Sequence, residues 1–164
     1  LYLQKGVSPD GALLESVARK FRCLSTEKLH LFPGAKELLT GLKERGSRVY
    51  LLTNAQACFT RMELEVLELR ALFDGIVISS EEGVKKPSPL FFRRCLDRYS
   101  LNPARTVMVG NDHLADCAGA WSLGLDSRYI FTEQSPPRPE QLPPHCREIL
   151  SLLELLQETG PDRA

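Results

Sequence analysis

Neither sign of charge prevails in this chain of 164 residues: 21 lysines and arginines are matched by 21 aspartates and glutamates. With no net positive field and no basic block, counterion release has little to act on, and nucleic acid is not an expected partner. Long apolar runs are lacking too. Pieces such as Val49-Tyr50-Leu51-Leu52 fall far short of the roughly 20 residues that span a bilayer, so no membrane partner is expected. The five cysteines, Cys23, Cys58, Cys95, Cys117 and Cys146, include no C-x-x-C pair and have no histidine at ligand spacing. That argues against a thiolate metal centre and a disulfide framework, and fits a reduced, cytoplasmic setting. No charged, apolar and small-residue leader stands near the start. The first residue is Leu1 rather than Met, and the expectation is that the true start lies upstream.

What is present is enough apolar material for one core: 43% hydrophobic residues, with seven Phe, four Tyr and one Trp. The length suits a single domain. Ser8-Pro9-Asp10 before Leu13, Leu14, Val17, Ala18 and Phe21 predicts a capped amphipathic helix to about Cys23. Pro33-Gly34 opens a second helix with the stripe Ala35, Leu38, Leu39 and Leu42, stopped by Gly46. Strands are expected at 48–54, 75–79, 106–110 and 127–131. Helices are expected at 57–73, 88–99, 114–123 and 144–158, the last striped by Ile149, Leu152, Leu153 and Leu156. Five prolines between Glu133 and Pro144 mark a surface connection. Strands alternating with helices specify an α/β fold, a Rossmann-like doubly wound parallel sheet with right-handed crossovers.

In such sheets ligands sit beyond the carboxyl ends of the strands. Thr53-Asn54 ends the first strand, Lys85-Lys86-Pro87 follows the second, and Asn111-Asp112-His113-Leu114-Ala115-Asp116 follows the third. The order and spacing of these residues resemble the haloacid dehalogenase-like (HAD) hydrolase superfamily from about Leu31 to Phe131. Leu51-Leu52-Thr53-Asn54 is similar to its second motif. Gly83-Val-Lys-Lys86-Pro87-Ser-Pro89-Leu-Phe91 matches its third, G-x-x-K-P-x-P and an aromatic. Val107-Met-Val109-Gly110-Asn111-Asp112 through Asp116 and Ala118-Gly119-Ala120 looks like its fourth. Two departures stand out. The first motif, an apolar strand ending in D-x-D with the Asp nucleophile, is absent, and Ser8-Pro9-Asp10-Gly11 does not replace it. Asn111 also stands where the pattern has its first Asp, leaving open whether Asn111 or Asp112 would reach a metal.

The resemblance implies a phosphatase acting on a small phosphorylated metabolite through an aspartyl-phosphate whose Asp lies upstream of this chain. The 164 residues alone would then be inactive. It implies Mg2+ held by Asp112, Asn111 and Asp116, a phosphate-directed Lys86, and hydrogen bonds to phosphate from Thr53 and a backbone amide near Asn54. Residues 1–30 would be the remnant of a small helical cap, and 31–164 a HAD-like core lacking its first strand. Substrate identity and oligomeric state stay open.

Each residue also has a plainer reading. Thr53 and Asn54 suit a strand end and a turn. Asn111-Asp112 would cap the helix near Leu114, with Asp116 favoured by its amino-terminal dipole. His113 is expected on a helix surface, Trp121 and Tyr99 in the core, and Cys58 in a structural role. The basic residues Arg19, Lys20 and Arg22 are expected on a solvated face. The competing functions are a non-catalytic phosphate- or partner-binding HAD-like module and a phospho-receiver domain. In the latter Asp precedes Thr and Lys, the reverse of the order here.

Overall fold

The computed structural model describes residues 10–25 and 29–158. The expected helix start at Ser8-Pro9 therefore lies outside the described residues. The first helix, α1 (Gly11–Ser25), is capped by Asp10, whose Oδ1 accepts the Leu13 N–H at 2.7 Å. It lies against α3 (Ala57–Val66) and keeps Leu13, Leu14 and Val17 exposed. Helix α2 (Ala35–Glu44) ends at Gly46, which adopts a φ of 76° that a side chain would disfavour.

Two parallel sheets follow. In one, β1 (Tyr50–Thr53) pairs with β2 (Gly75–Ile78); in the other the order is β3 (Val107–Gly110), β4 (Asp126–Ile130), β5 (Cys146–Ile149). A one-turn helix, α4 (Ser79–Glu82), leaves β2 and is followed by α5 (Pro89–Arg98). After β3 the chain forms a π-helix, His113–Ala118, continued by α6 (Gly119–Trp121), and the last helix among the described residues is α7 (Glu154–Glu158).

Alternate strand residues serve opposite faces. Val109, Ile130 and Ile149 pack with Leu38 and Leu42 of α2 and Leu155 and Leu156 of α7. Across the sheet, Leu52 of β1 and Met108 of β3 share a cluster with Phe92 and Leu96 of α5. The same helix thus covers both sheets, although β1 and β3 are each hydrogen-bonded on one side only among the described residues.

The predicted final helix is wrong in its first half, where 146–149 is strand β5. The apolar residues spaced from Ile149 suggested a helical stripe, but Ile149 fills the core from a strand paired with β4 while Leu150 is exposed. Pro143, Pro144 and a left-handed His145 (φ 59°) precede it and interrupt a helix. The helix expected over 114–123 is present, with the wider π geometry over most of its length. Tyr99 packs on Tyr50 as expected of a core residue, whereas Trp121 is 47% exposed, contrary to expectation.

Burial pushes the Cys95 thiol up to about 11 from 9.0, against the opposing effect of the nearby Arg98 charge. Above pH 9 the unfolded chain releases this proton and the native state keeps it. The contribution is therefore complete below pH 9 and is lost as pH rises toward about 11. Urea midpoints measured at about pH 8 and about pH 10 should fall with pH, and Cys95→Val should lessen that fall.

Candidate active site

At the carboxyl end of β1, Asn54 turns its carboxamide onto the main chain of Lys86. Its Oδ1 accepts the Lys86 N–H at 2.7 Å and its Nδ2 donates to the Lys86 carbonyl at 2.9 Å. The Lys86 side chain runs inward, where Nζ donates to the Leu52 carbonyl at 2.8 Å and meets Asp116 Oδ1 at 2.6 Å. Both charged side chains are largely dry, 10% and 6% exposed. Lys85, one position earlier, is exposed. Lys86 and Pro87 stand at the centre of a turn closed by the Ser88 N–H, which donates to the Lys85 carbonyl at 3.0 Å. The two lysines are set apart by this turn rather than by the alternation of an extended run.

Asp116 is fixed from a second direction, its Oδ2 accepting the Asp112 N–H at 3.0 Å. This close approach requires Gly110, because an added Cβ would overlap the Asp116 carboxylate. Asp112 caps the π-helix, its Oδ1 accepting the N–H groups of Leu114 at 2.9 Å and Ala115 at 2.8 Å. Asn111 donates instead to Thr132 Oγ1 at 3.0 Å, tying the end of β3 to the loop after β4.

Asn54, Lys86, Asp112 and Asp116 therefore form one bonded chain at the sheet edge, with Thr53 at its β1 end and the Asn111 side chain engaged separately. His113 is not the surface residue expected: it is 9% exposed, edge-on to Tyr129 at 6.2 Å, and its Nδ1 has no hydrogen-bond partner among the described residues. Sequence reasoning also missed the contributions of the Leu52 carbonyl and Gly110. The glycine carried a signal, standing between an apolar strand and an acidic run.

Cys58, Cys95, Cys117 and Cys146 are free thiols. Burial, reinforced by the neighbouring Cys146 thiol, pushes Cys117 up to about 12, so Cys95 and Cys117 stay protonated and weakly nucleophilic near neutral pH.

Among the described residues no group of three His, Cys, Asp or Glu side chains is arranged to hold a metal ion. Asp112 and Asp116 nevertheless offer carboxylate oxygens alone. That donor chemistry fits a hard cation such as Mg2+, which takes its other ligands from water and phosphate. A dry cation paired with the Asp116 carboxylate at the carboxyl edge of a parallel sheet suits an anionic substrate whose charge is partly offset by a metal. No helix among the described residues is long and apolar enough to cross a membrane.

Comparison with known proteins agrees with this geometry. A family model for haloacid dehalogenase-like hydrolases matches residues 5–124. The glyceraldehyde 3-phosphate phosphatase of Pyrococcus furiosus is 30% identical over 136 residues, 80% of this chain and 57% of that protein. The N-acylneuraminate-9-phosphatase of Mus musculus is 28% identical over 156 residues, 92% of this chain and 62% of that protein. The solved structure of the putative HAD-hydrolase YfnB from Bacillus subtilis, bound to magnesium, is similar with a TM-score of 0.74 at 28% identity. The match covers 96% of this chain and 67% of that one. The chain spans about half the length of the curated relatives it matches. A family match across most of the described core, on a parallel α/β fold with the motif residues gathered at one edge, leads to one assignment: the chain belongs to the haloacid dehalogenase-like hydrolase family.

Proposed function

We propose that this chain is the greater part of a Mg2+-dependent phosphatase for a small phosphorylated metabolite, its nucleophilic Asp contributed by a strand outside these 164 residues. The observation that carries the reading is the Lys86 ammonium, held dry between the Leu52 carbonyl of β1 and Asp116 beyond β3. It stands where β1 and β3 each lack a hydrogen-bonded neighbour on one side among the described residues. A parallel strand between those edges would deliver its last residues to this ammonium. The relatives named for phosphatase activity on small phosphate esters support the substrate class.

In this reading the carboxylate attacks phosphorus, the bond to the ester oxygen breaks, and water later cleaves the aspartyl-phosphate to release inorganic phosphate. Lys86 offsets charge on the nucleophile and the transferring group as a fixed point charge. Thr53 and a backbone amide near Asn54 donate to phosphate oxygens. Asp112 and Asp116 would hold Mg2+, with Asn111 as an alternative ligand; the ion would supply further charge neutralisation at the phosphoryl oxygens. Helix α1 is assigned to the remnant of a cap.

The test compares residues 1–164 with the natural full chain on a panel of small phosphate esters, with and without Mg2+. Metal-dependent release of phosphate by the full chain and none by residues 1–164 is the expected result. Equal activity from both would place the nucleophile within these residues. A full chain inert toward every ester, yet binding phosphate or a partner, would favour the non-catalytic module.

A further inference from the structure

The carboxamide of Asn54 is committed to one residue 32 positions away, and to both polar groups of that residue's main chain. Only a side-chain amide offers a donor and an acceptor side by side in the way a peptide presents its N–H and C=O. Aspartate would keep the acceptor and lose the donor; alanine would lose both. Because Asn54 follows β1 directly, it fixes the Lys86 main chain to the same strand whose Leu52 carbonyl receives the Lys86 ammonium. Lysine is a long, four-carbon side chain with many rotamers. Here it is pinned at its root by Asn54 and at its tip by Leu52 and Asp116.

We infer that the Asn54 side chain is a positioning residue: it aims Lys86 through the main chain of Lys86 and makes no contact with substrate. The catalytic consequence rests on the phosphatase reading, whereas the geometric one does not.

The experiment therefore has two arms, both on the natural full chain. In the first, lysines are acetylated with an N-hydroxysuccinimide ester and the rates at Lys85 and Lys86 are read by peptide mass spectrometry. In the parent, exposed Lys85 should react well ahead of Lys86. Asn54→Ala should raise the Lys86 rate by roughly five- to tenfold, the scale of losing two hydrogen bonds, and leave Lys85 unchanged. Asn54→Asp, nearly the same shape, should also raise it, and it carries the test should the alanine variant fail to fold. A Lys86 rate as low as the parent's in a folded variant would overturn the inference. The second arm reads phosphate release. Asn54→Ala should lower kcat with KM unmoved, and should add nothing on a Lys86→Met background. A raised KM at constant kcat, or losses that multiply in the double variant, would show direct contact with substrate and overturn it. Failure of the phosphatase reading would appear differently, as inactivity of the parent itself, with the acetylation rates still decisive.

Discussion

Replacing Lys86 by methionine in the natural full chain is expected to lower turnover by at least about two orders of magnitude, the scale of removing one electrostatic contact from a phosphoryl-transfer transition state. Lys85→Met should change it little. The two residues are chemically identical neighbours, so the contrast isolates position. Lys86 points inward to Leu52 and Asp116, whereas Lys85 is exposed. Methionine keeps an unbranched apolar stem, which limits packing losses, but removes the charge together with the contacts to Leu52 and Asp116. Steady-state kinetics on both variants, with the melting temperature as a control for folding, decides the matter. Equal losses, or a loss confined to Lys85, would show that the working lysine lies one residue out of register.

The separation of Lys86 from Lys85 was legible in the sequence because a local pattern, lysine directly before proline, marks it. The extended geometry expected there was not found, since Lys86 and Pro87 form a turn closed by the Ser88 N–H on the Lys85 carbonyl. The four parallel strands 50–53, 75–78, 107–110 and 126–130 were legible for a similar reason. Each is a short β-favouring run bounded by turn residues, and each follows a helical segment. Strand β5 was not. Its four residues carry no alternation strong enough to compete with the apolar spacing that continues to Leu156, and its identity comes from pairing with β4, a long-range contact. His113 and Trp121 were misplaced by the same blind spot. Helical periodicity gives the angle of a side chain about the axis but not which neighbour covers that face. The wider π turn shifts the angle again, and here Tyr129 covers His113 while Trp121 is left open. Nor does spacing reveal that Asp112 spends one oxygen on capping while Asp116 is locked to Lys86. Both roles were conceivable for each carboxylate, and only the fold distributes them.

That division predicts unequal stability losses for the two acidic residues. Asp116→Asn removes the carboxylate partner of a largely buried ammonium. It should destabilise the full chain by up to about 3–5 kcal/mol, the usual cost of leaving one member of a buried pair uncompensated, and by less to the extent that the proposed nucleophilic Asp stands beside the same ammonium. Asp112→Asn keeps a side chain able to cap the π-helix through its amide oxygen, so its stability should stay within about 0.5 kcal/mol of the parent. If the proposed Mg2+ site is right, both substitutions should raise the Mg2+ concentration needed for activity, because each removes a carboxylate from the proposed donor set. If Asp112→Asn leaves metal dependence intact while Asn111→Ala abolishes it, the ligand is the Asn111 amide and the assignment to Asp112 is wrong. The double variant Lys86→Met with Asp116→Asn supplies the remaining check. With the ammonium gone, a neutral amide at position 116 leaves no buried charge unpaired, so urea denaturation should show the double variant losing less than the sum of the single losses. Strict additivity would mean that the 2.6 Å contact between Lys86 and Asp116 contributes nothing as a pair, and that each residue is held by its other partners alone.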